Sequence, residues 1–293
     1  MLCAAVLPTM QAEMLSLARS AATEAGRYMV ARSGADVTTT KLSARDLVTA
    51  VDEHCQEIVE SRIAASYPSH RCLGEESVAP GIESAVAAAQ ELYASEWSWI
   101  IDPVDGTTNL VAGIPMSVVS IGIARHGVPL GAVVFDPYRE ELFEAWRGQG
   151  ATLNGQPISV SRAEHLADAV VCAPCPHSPT SMPPALRSIN AAVPRARSVR
   201  ILGSGVLNLC WVACGRLSAY WEHELACWDT AAGTLLVQEA GGRVSDTDGT
   251  PFTLTTRSVL ASNGATHDEL RAMLASADAE GPESLPPSVD QRG

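Results

Sequence analysis

Asp102 and Asp105 stand three residues apart at the end of an apolar stretch, within Trp99-Ile100-Ile101-Asp102-Pro103-Val104-Asp105-Gly106-Thr107-Thr108-Asn109. The stretch predicts a buried strand ending at Asp102. Pro103 breaks it, and Asp105 follows in a turn. Both carboxylates can then face one space, where they repel unless a cation lies between them. Carboxylates beside a free backbone carbonyl suit a hard cation such as Mg²⁺. The Gly106-Thr107-Thr108 amides would lie close by, and a helix-like turn there would cradle a phosphate. An Asp-Gly turn alone is commonly no more than a turn. The full eleven-residue segment is more specific.

More carboxylates occur elsewhere. Glu75 and Glu76 follow Leu73-Gly74, and such a pair is ordinarily a solvated surface. Asp229 opens an apolar helical run, TAAGTLLVQEAGG, where an acid ordinarily does no more than favour the helix dipole.

The elements that would position these groups fall into two textures. Helical spacing runs over 10–33, through Met10, Met14, Leu17, Ala21, Ala25 and Met29. After a Gly/Ser/Thr loop at 34–45, a second helix carries Val48, Val51, Cys55, Ile58, Val59 and Ile63 on one stripe. Asp46 or Thr49 caps it and Pro68 closes it. Residues 77–96 read as an acidic, Ala-rich helix. Strands follow over 97–102, 117–124, 130–135 and 141–146, with turns at Asp136-Pro137 and Asn154-Gly155. Residues 169–173 and 217–222 read as further strands. Helices are expected over 204–214 and 229–240, the latter closed by Gly241-Gly242. Helices first and mixed elements after predict a layered α/β or α+β body. Residues 1–276 read as one catalytic domain and 277–293, rich in Pro, Ser and Glu, as a disordered tail.

Lys plus Arg number 20 against 33 Asp plus Glu in 293 residues, a net charge of −13. That charge argues against nucleic acid or an anionic membrane as partner. No apolar stretch approaches the roughly 20 residues that span a bilayer. The start lacks the features of a secretory or transit signal, and the eight cysteines do not read as a disulfide framework, so a cytoplasmic location is expected. Cys172 and Cys175 form a C-x-x-C pair, but no second pair follows at zinc spacing. They read as structural.

Together, GEE (74–76), DPVDGTTN (102–109) and WDTAAGTLLVQEAGG (228–242) resemble the signature motifs of the inositol monophosphatase family. DLVTAVD (46–52), YPSH and GEESVA within 67–79, VSIG (119–122) and NGQPISVS (154–161) extend the resemblance over roughly 10–275. It implies an αβαβα layered sandwich, a homodimer, and a lithium-sensitive phosphatase with two to three Mg²⁺ per subunit. On that resemblance Glu75, Asp102 and the Val104 carbonyl hold the first ion. Asp102, Asp105 and Asp229 hold the second, and a third touches Glu75. Glu75 and Thr107 act on the attacking water, with Asp46 behind Thr107 as its hydrogen-bond partner. Gly106 and Thr107 amides bind the phosphate. Asp105, Gly203, Ser204, Gly205 and Glu222 face the polyol.

The implied substrate is inositol monophosphate. Alternatives are L-galactose 1-phosphate, histidinol phosphate or a nucleotide phosphate, or a catalytically silent binding protein on the same fold. Thr107-Thr108-Asn109 argues against the nucleotide-phosphatase relatives, which tend to carry Lys after the first Thr. Two segments depart from the family pattern: Leu110-Val111-Ala112-Gly113-Ile114-Pro115, and the Pro- and Cys-rich 172–185.

Overall fold

The computed structural model describes residues 6–34, 36–40, 47–176, 178 and 180–279. Its elements in chain order are α1 (Val6–Val30), β1 (Val37–Thr40), β2 (Leu47–Thr49), α2 (Ala50–Ser66), β3 (Arg71–Gly74), α3 (Ile82–Glu91), β4 (Trp97–Asp105) and α4 (Thr107–Ala112). Then come β5 (Val118–Arg125), β6 (Val128–Asp136), β7 (Glu141–Trp146), β8 (Ala151–Leu153), β9 (Gln156–Pro157), β10 (Val170–Cys172), α5 (Met182–Ala192) and β11 (Ser198–Arg200). The chain continues with α6 (Gly205–Ala213), β12 (Ala219–Glu222), α7 (Cys227–Glu239), β13 (Arg243–Ser245), β14 (Val259–Ser262) and α8 (His267–Ala279).

Strands β3 to β9 form a seven-stranded sheet in sequence order, with β3 parallel to β4 and the rest antiparallel. A five-stranded sheet has the order β11-β10-β12-β14-β13. Both faces of the larger sheet are covered, so its central strands are apolar on both sides rather than alternating. On β6, Val133 and Phe135 face α1 and α2, while Ala132 and Val134 join the cluster built on α6 and α7. That second cluster continues to Tyr220, Val259 and Ala261 of the smaller sheet. The other face of the smaller sheet packs Trp221 and Leu260 against Leu270, Met273 and Leu274 of α8 and Ala192 of α5. The layers are therefore helix, sheet, helix, sheet, helix, as the resemblance implied. The inner helices approach closely because Gly233 has no side chain: a Cβ there would stand 2.5 Å from Leu209.

Several boundaries differ from the sequence reading. β4 does not stop at Asp102 but runs through Pro103 to Asp105, with a one-residue irregularity against β5: Asp102 pairs with Ser120 and Asp105 with Val118. Residues three apart on a regular strand point to opposite faces. The bulge cancels that offset and returns Asp105 to the side of Asp102. The expected helix over 77–96 shortens to α3, after a single 3₁₀ turn at Glu75–Ser77 and the Pro80-Gly81 break. β13, β14 and α8 are additions. α8 runs past the expected boundary at 276, because Leu270, Met273, Leu274 and Ala277 are a buried helical stripe. Of the expected tail, residues 280–293 lie outside the described residues.

Candidate active site

A cavity of about 660 Å³ opens where the β4 bulge, α4, the start of α6, the end of β12 and the start of α7 converge. Its lining includes Glu75, Asp102, Val104, Asp105, Gly106, Thr107, Gly203, Ser204, Gly205, Glu222 and Asp229. Residues far apart in sequence thus meet because two sheets and the helices between them end at one place.

Asp102 is 1% exposed and its Oδ1 accepts a hydrogen bond from the Val104 amide at 3.1 Å. Gly106, φ +92°, makes the tight exit from β4 into α4. A Cβ there would stand 2.8 Å from the Met116 carbonyl oxygen and 3.2 Å from that of Gly203, so the position needs glycine for space as well as for conformation. Asn109 Nδ2 donates to the Met116 and Leu202 carbonyls at 2.9 and 2.8 Å, tying α4 to the loop before α6.

The Thr107 hydroxyl stands 2.9 Å from Asp52 Oδ1 and 3.1 Å from the Val104 carbonyl. Asp52 thus holds the position expected for Asp46, which lies outside the described residues. Asp52 does so from the first turn of α2, where its Oδ2 also accepts from the Thr49 amide at 2.9 Å and the Thr49 hydroxyl at 2.5 Å. This reciprocal cap, with Thr49 rather than Asp46 at the helix start, fixes Asp52 independently of the cavity. The sequence carried the signal, since Thr49-Ala50-Val51-Asp52 has the spacing of such a cap.

Asp105 turns toward the start of α6. Its carboxylate accepts from the Ser204 hydroxyl, the Gly205 amide at 3.1 Å, the Val206 amide at 2.9 Å and the Leu207 amide at 3.4 Å. Burial pushes this carboxyl up, the four donors pull it back, and burial wins. Asp229, two residues into α7, accepts from the Ala226 amide at 2.6 Å. Glu75 sits in its 3₁₀ turn, which Gln56 of α2 holds from below. Gln56 Oε1 accepts from the Glu76 amide at 2.9 Å and its Nε2 donates to Ser77 Oγ at 2.7 Å. Sequence reasoning missed Gln56, because a single glutamine on a helix carries no distinguishing spacing.

Glu222, 7% exposed, ends β12 and accepts from the Cys175 amide at 2.8 Å and the His223 amide at 3.1 Å. Burial pushes its carboxyl up to about 7 despite those bonds. The Cys172 thiol is pushed up to about 12 by burial, and neither Cys172 nor Cys175 is part of a disulfide.

Among the described residues, no three His, Cys, Asp or Glu side chains stand close enough together to hold a metal ion. The carboxylate of Asp105 in particular is taken up by α6. The donor chemistry nonetheless fits a hard divalent cation. The acids Glu75, Asp102, Asp105 and Asp229 share one cavity, and Asn208 adds to its wall a buried Oδ1 that has no hydrogen-bond partner. The Cys227 thiol beside Asp229 is pushed up to about 12 by burial and stays protonated, so it offers no competing thiolate.

An acid-lined cavity with a carboxylate-held threonine and two helix starts, on this layered fold, suits metal-assisted hydrolysis of an anionic ester. The model of the inositol monophosphatase family matches residues 10–279. Inositol monophosphatase 2 of Solanum lycopersicum is 41% identical over 226 residues, 76% of this chain and 83% of that one. The protein named Nus factor SuhB of Pasteurella multocida is 38% identical over 251 residues, 85% of this chain and 90% of that one. The solved inositol monophosphatase of Anabaena superposes with a TM-score of 0.77 at 33% identity, covering 92% of this chain and 97% of that one. The chain belongs to the inositol monophosphatase family, and it is a phosphoric monoester hydrolase. Phosphatases of this family depend on a metal, generally Mg²⁺.

Proposed function

We propose that the chain hydrolyses inositol monophosphate to inositol and phosphate, using two to three Mg²⁺ per subunit. The observation that carries this reading is that one cavity is lined by Glu75, Asp102, Asp105 and Asp229, by the Gly106-Thr107 turn and by the buried Glu222. Glu75, Asp102 and the Val104 carbonyl would hold one ion, and Asp102, Asp105 and Asp229 another. When bound, Mg²⁺ supplies Lewis acidity and neutralises phosphoryl charge. Glu75 and Thr107 orient the attacking water and accept its proton, with the Thr107 hydroxyl fixed by Asp52. The Gly106 and Thr107 amides hold phosphate oxygens. Glu222 and Asp105 accept hydrogen bonds from ring hydroxyls, beside Gly203, Ser204 and Gly205. The ions also explain how a chain of net charge −13 takes an anionic substrate.

The reading includes a homodimer in the cytoplasm and uncompetitive inhibition by Li⁺ at millimolar-scale concentrations. Among the described residues no helix is long and apolar enough to cross a membrane. One relative is named a Nus factor, which raises a binding role on this fold. The presence of every carboxylate of the set favours catalysis. The test is phosphate release from inositol 1-phosphate, L-galactose 1-phosphate, histidinol phosphate and 2′-AMP at equal concentration. Inositol 1-phosphate should give the highest kcat/KM. A higher value for another ester moves the assignment to that ester.

A further inference from the structure

The Pro- and Cys-rich segment that departs from the family pattern lies against the cavity. Cys175, Pro176, Ser178, Thr180 and Ser181 are among its lining residues. They are attached to the end of β12 and to the loop after it. The Cys175 amide donates to Glu222. The Ser178 and Thr180 hydroxyls donate to the two carboxylate oxygens of Glu224, at 2.5 and 2.6 Å. The Ser181 hydroxyl stands 3.0 Å from Ser178 Oγ and completes a hydroxyl cluster on that carboxylate.

The Glu224 backbone is fixed in turn. Its φ is +60°, in the left-handed region that few non-glycine residues occupy. Arg257 Nη2 donates to the Glu224 carbonyl at 2.9 Å, and the Leu225 amide donates to the Arg257 carbonyl at 2.8 Å. Glu224 therefore joins three things: the wall, the strand end that carries Glu222, and the connection that leads to Asp229. A glycine would meet the backbone requirement more easily. The side chain at this position is explained by the two hydroxyls it accepts from.

We propose that Glu224 is a positioning residue that sets substrate size, by fixing the wall formed by Cys175, Ser178, Thr180 and Ser181 beside Glu222. The inference rests on the phosphatase reading above. The carboxylate of Glu224 is engaged by the Ser178 and Thr180 hydroxyls of the wall, so its loss acts first on binding of the leaving alcohol and less on bond cleavage.

The experiment is a mutant cycle of Glu224→Ala, the pair Ser178→Ala/Thr180→Ala, and all three together, with Glu224→Gln as the conservative variant. Each is assayed on inositol 1-phosphate and on glycerol 2-phosphate, and amide exchange is followed at Cys175 and Ser181. Glu224→Ala should raise KM for inositol 1-phosphate by about tenfold, the scale of a lost charge-assisted hydrogen bond. It should leave kcat, and both constants for glycerol 2-phosphate, within about twofold. The hydroxyl pair should reproduce the effect, the triple variant should add nothing to it, and Glu224→Gln should restore most of the binding. Exchange at Cys175 and Ser181 should quicken in every variant that weakens binding. Additive effects, or unchanged KM with normal turnover, overturn the proposal while the phosphatase reading stands. Absence of turnover in the wild type on both esters defeats the phosphatase reading instead. The exchange data then decide whether Glu224 anchors the wall, and unchanged exchange overturns the proposal in that case too.

Discussion

Replacing Asp52 by Asn removes a charge from a side chain that is 1% exposed and accepts three hydrogen bonds. Two of those donors belong to Thr49 and share Oδ2; the third is the Thr107 hydroxyl on Oδ1. An amide has one acceptor oxygen, and the Thr49 pair claims it. The Asn NH₂ then faces Thr107 Oγ1 and donates to it, so the threonine proton turns to the Val104 carbonyl 3.1 Å away. Thr107 is left with its donor pointing at a proposed metal ligand and one of its two lone pairs occupied. A hydrogen bond to a charged acceptor contributes about 1.5–3 kcal/mol. If it acts only in the transition state, its loss lowers kcat by roughly ten- to hundredfold. The cap survives, so the thermal midpoint should fall by only a few degrees. The assay is kcat at saturating inositol 1-phosphate and Mg²⁺, alongside thermal unfolding. A kcat within about threefold of wild type, while Thr107→Ala is inactive, would refute the relay. A larger loss at Asp46→Asn than at Asp52→Asn would restore the expectation from sequence.

Glu222→Gln should lower kcat/KM for inositol 1-phosphate by roughly ten- to hundredfold and leave glycerol 2-phosphate nearly unchanged; equal losses on both would make Glu222 a support of the fold. Because burial holds its carboxyl near 7, ionisation between pH 6 and 8 should strengthen that preference in the wild type, and Glu222→Gln should show no such rise. His267 is fully buried between the Ser245 and Ser262 hydroxyls, and burial, with Arg243 and Arg271 nearby, lowers its pKa from 6.5 to about 4, against a smaller opposing effect of Asp268. The unfolded chain takes up this proton below pH 6.5 and the fold does not until near 4. The contribution of His267 is thus full above pH 6.5 and falls by about 3 kcal/mol on the way to pH 4. Urea midpoints across that window should decline less steeply in His267→Gln, and an identical slope would place the acid lability elsewhere. Gln56→Ala should weaken Mg²⁺ activation several-fold by releasing the Glu75 turn, with an unchanged midpoint for Mg²⁺ counting against that role.

The acids of the cavity were legible as residues because their types and order match a family pattern, and the central strands because both their faces are apolar. Asp52 was not separated from Asp46, since both are acids near the start of one helix. The cap geometry shows that Asp52 is turned toward Thr107. The bulge at Pro103 was read as a strand end because a proline lacks an amide donor, whereas β4 tolerates it by shifting register. Gln56, Glu224 and Arg257 act through hydrogen bonds to backbone or to hydroxyls twenty to forty-six residues away. No local pattern records such contacts. β14, four residues long, offered too short an apolar run to call strand or helix.

The central claim is that one acid-lined cavity hydrolyses a polyol phosphate with the help of divalent ions. Its most direct test is phosphate release from inositol 1-phosphate by the wild type and by Asp105→Asn, with Mg²⁺ and after chelation. The account predicts turnover with Mg²⁺, its loss on chelation and recovery on adding Mg²⁺ back. It also predicts less than about a tenth of the wild-type kcat in a folded Asp105→Asn, a loss of more than ~1.4 kcal/mol. Turnover that survives chelation, or an Asp105→Asn variant as active as the wild type, would contradict it.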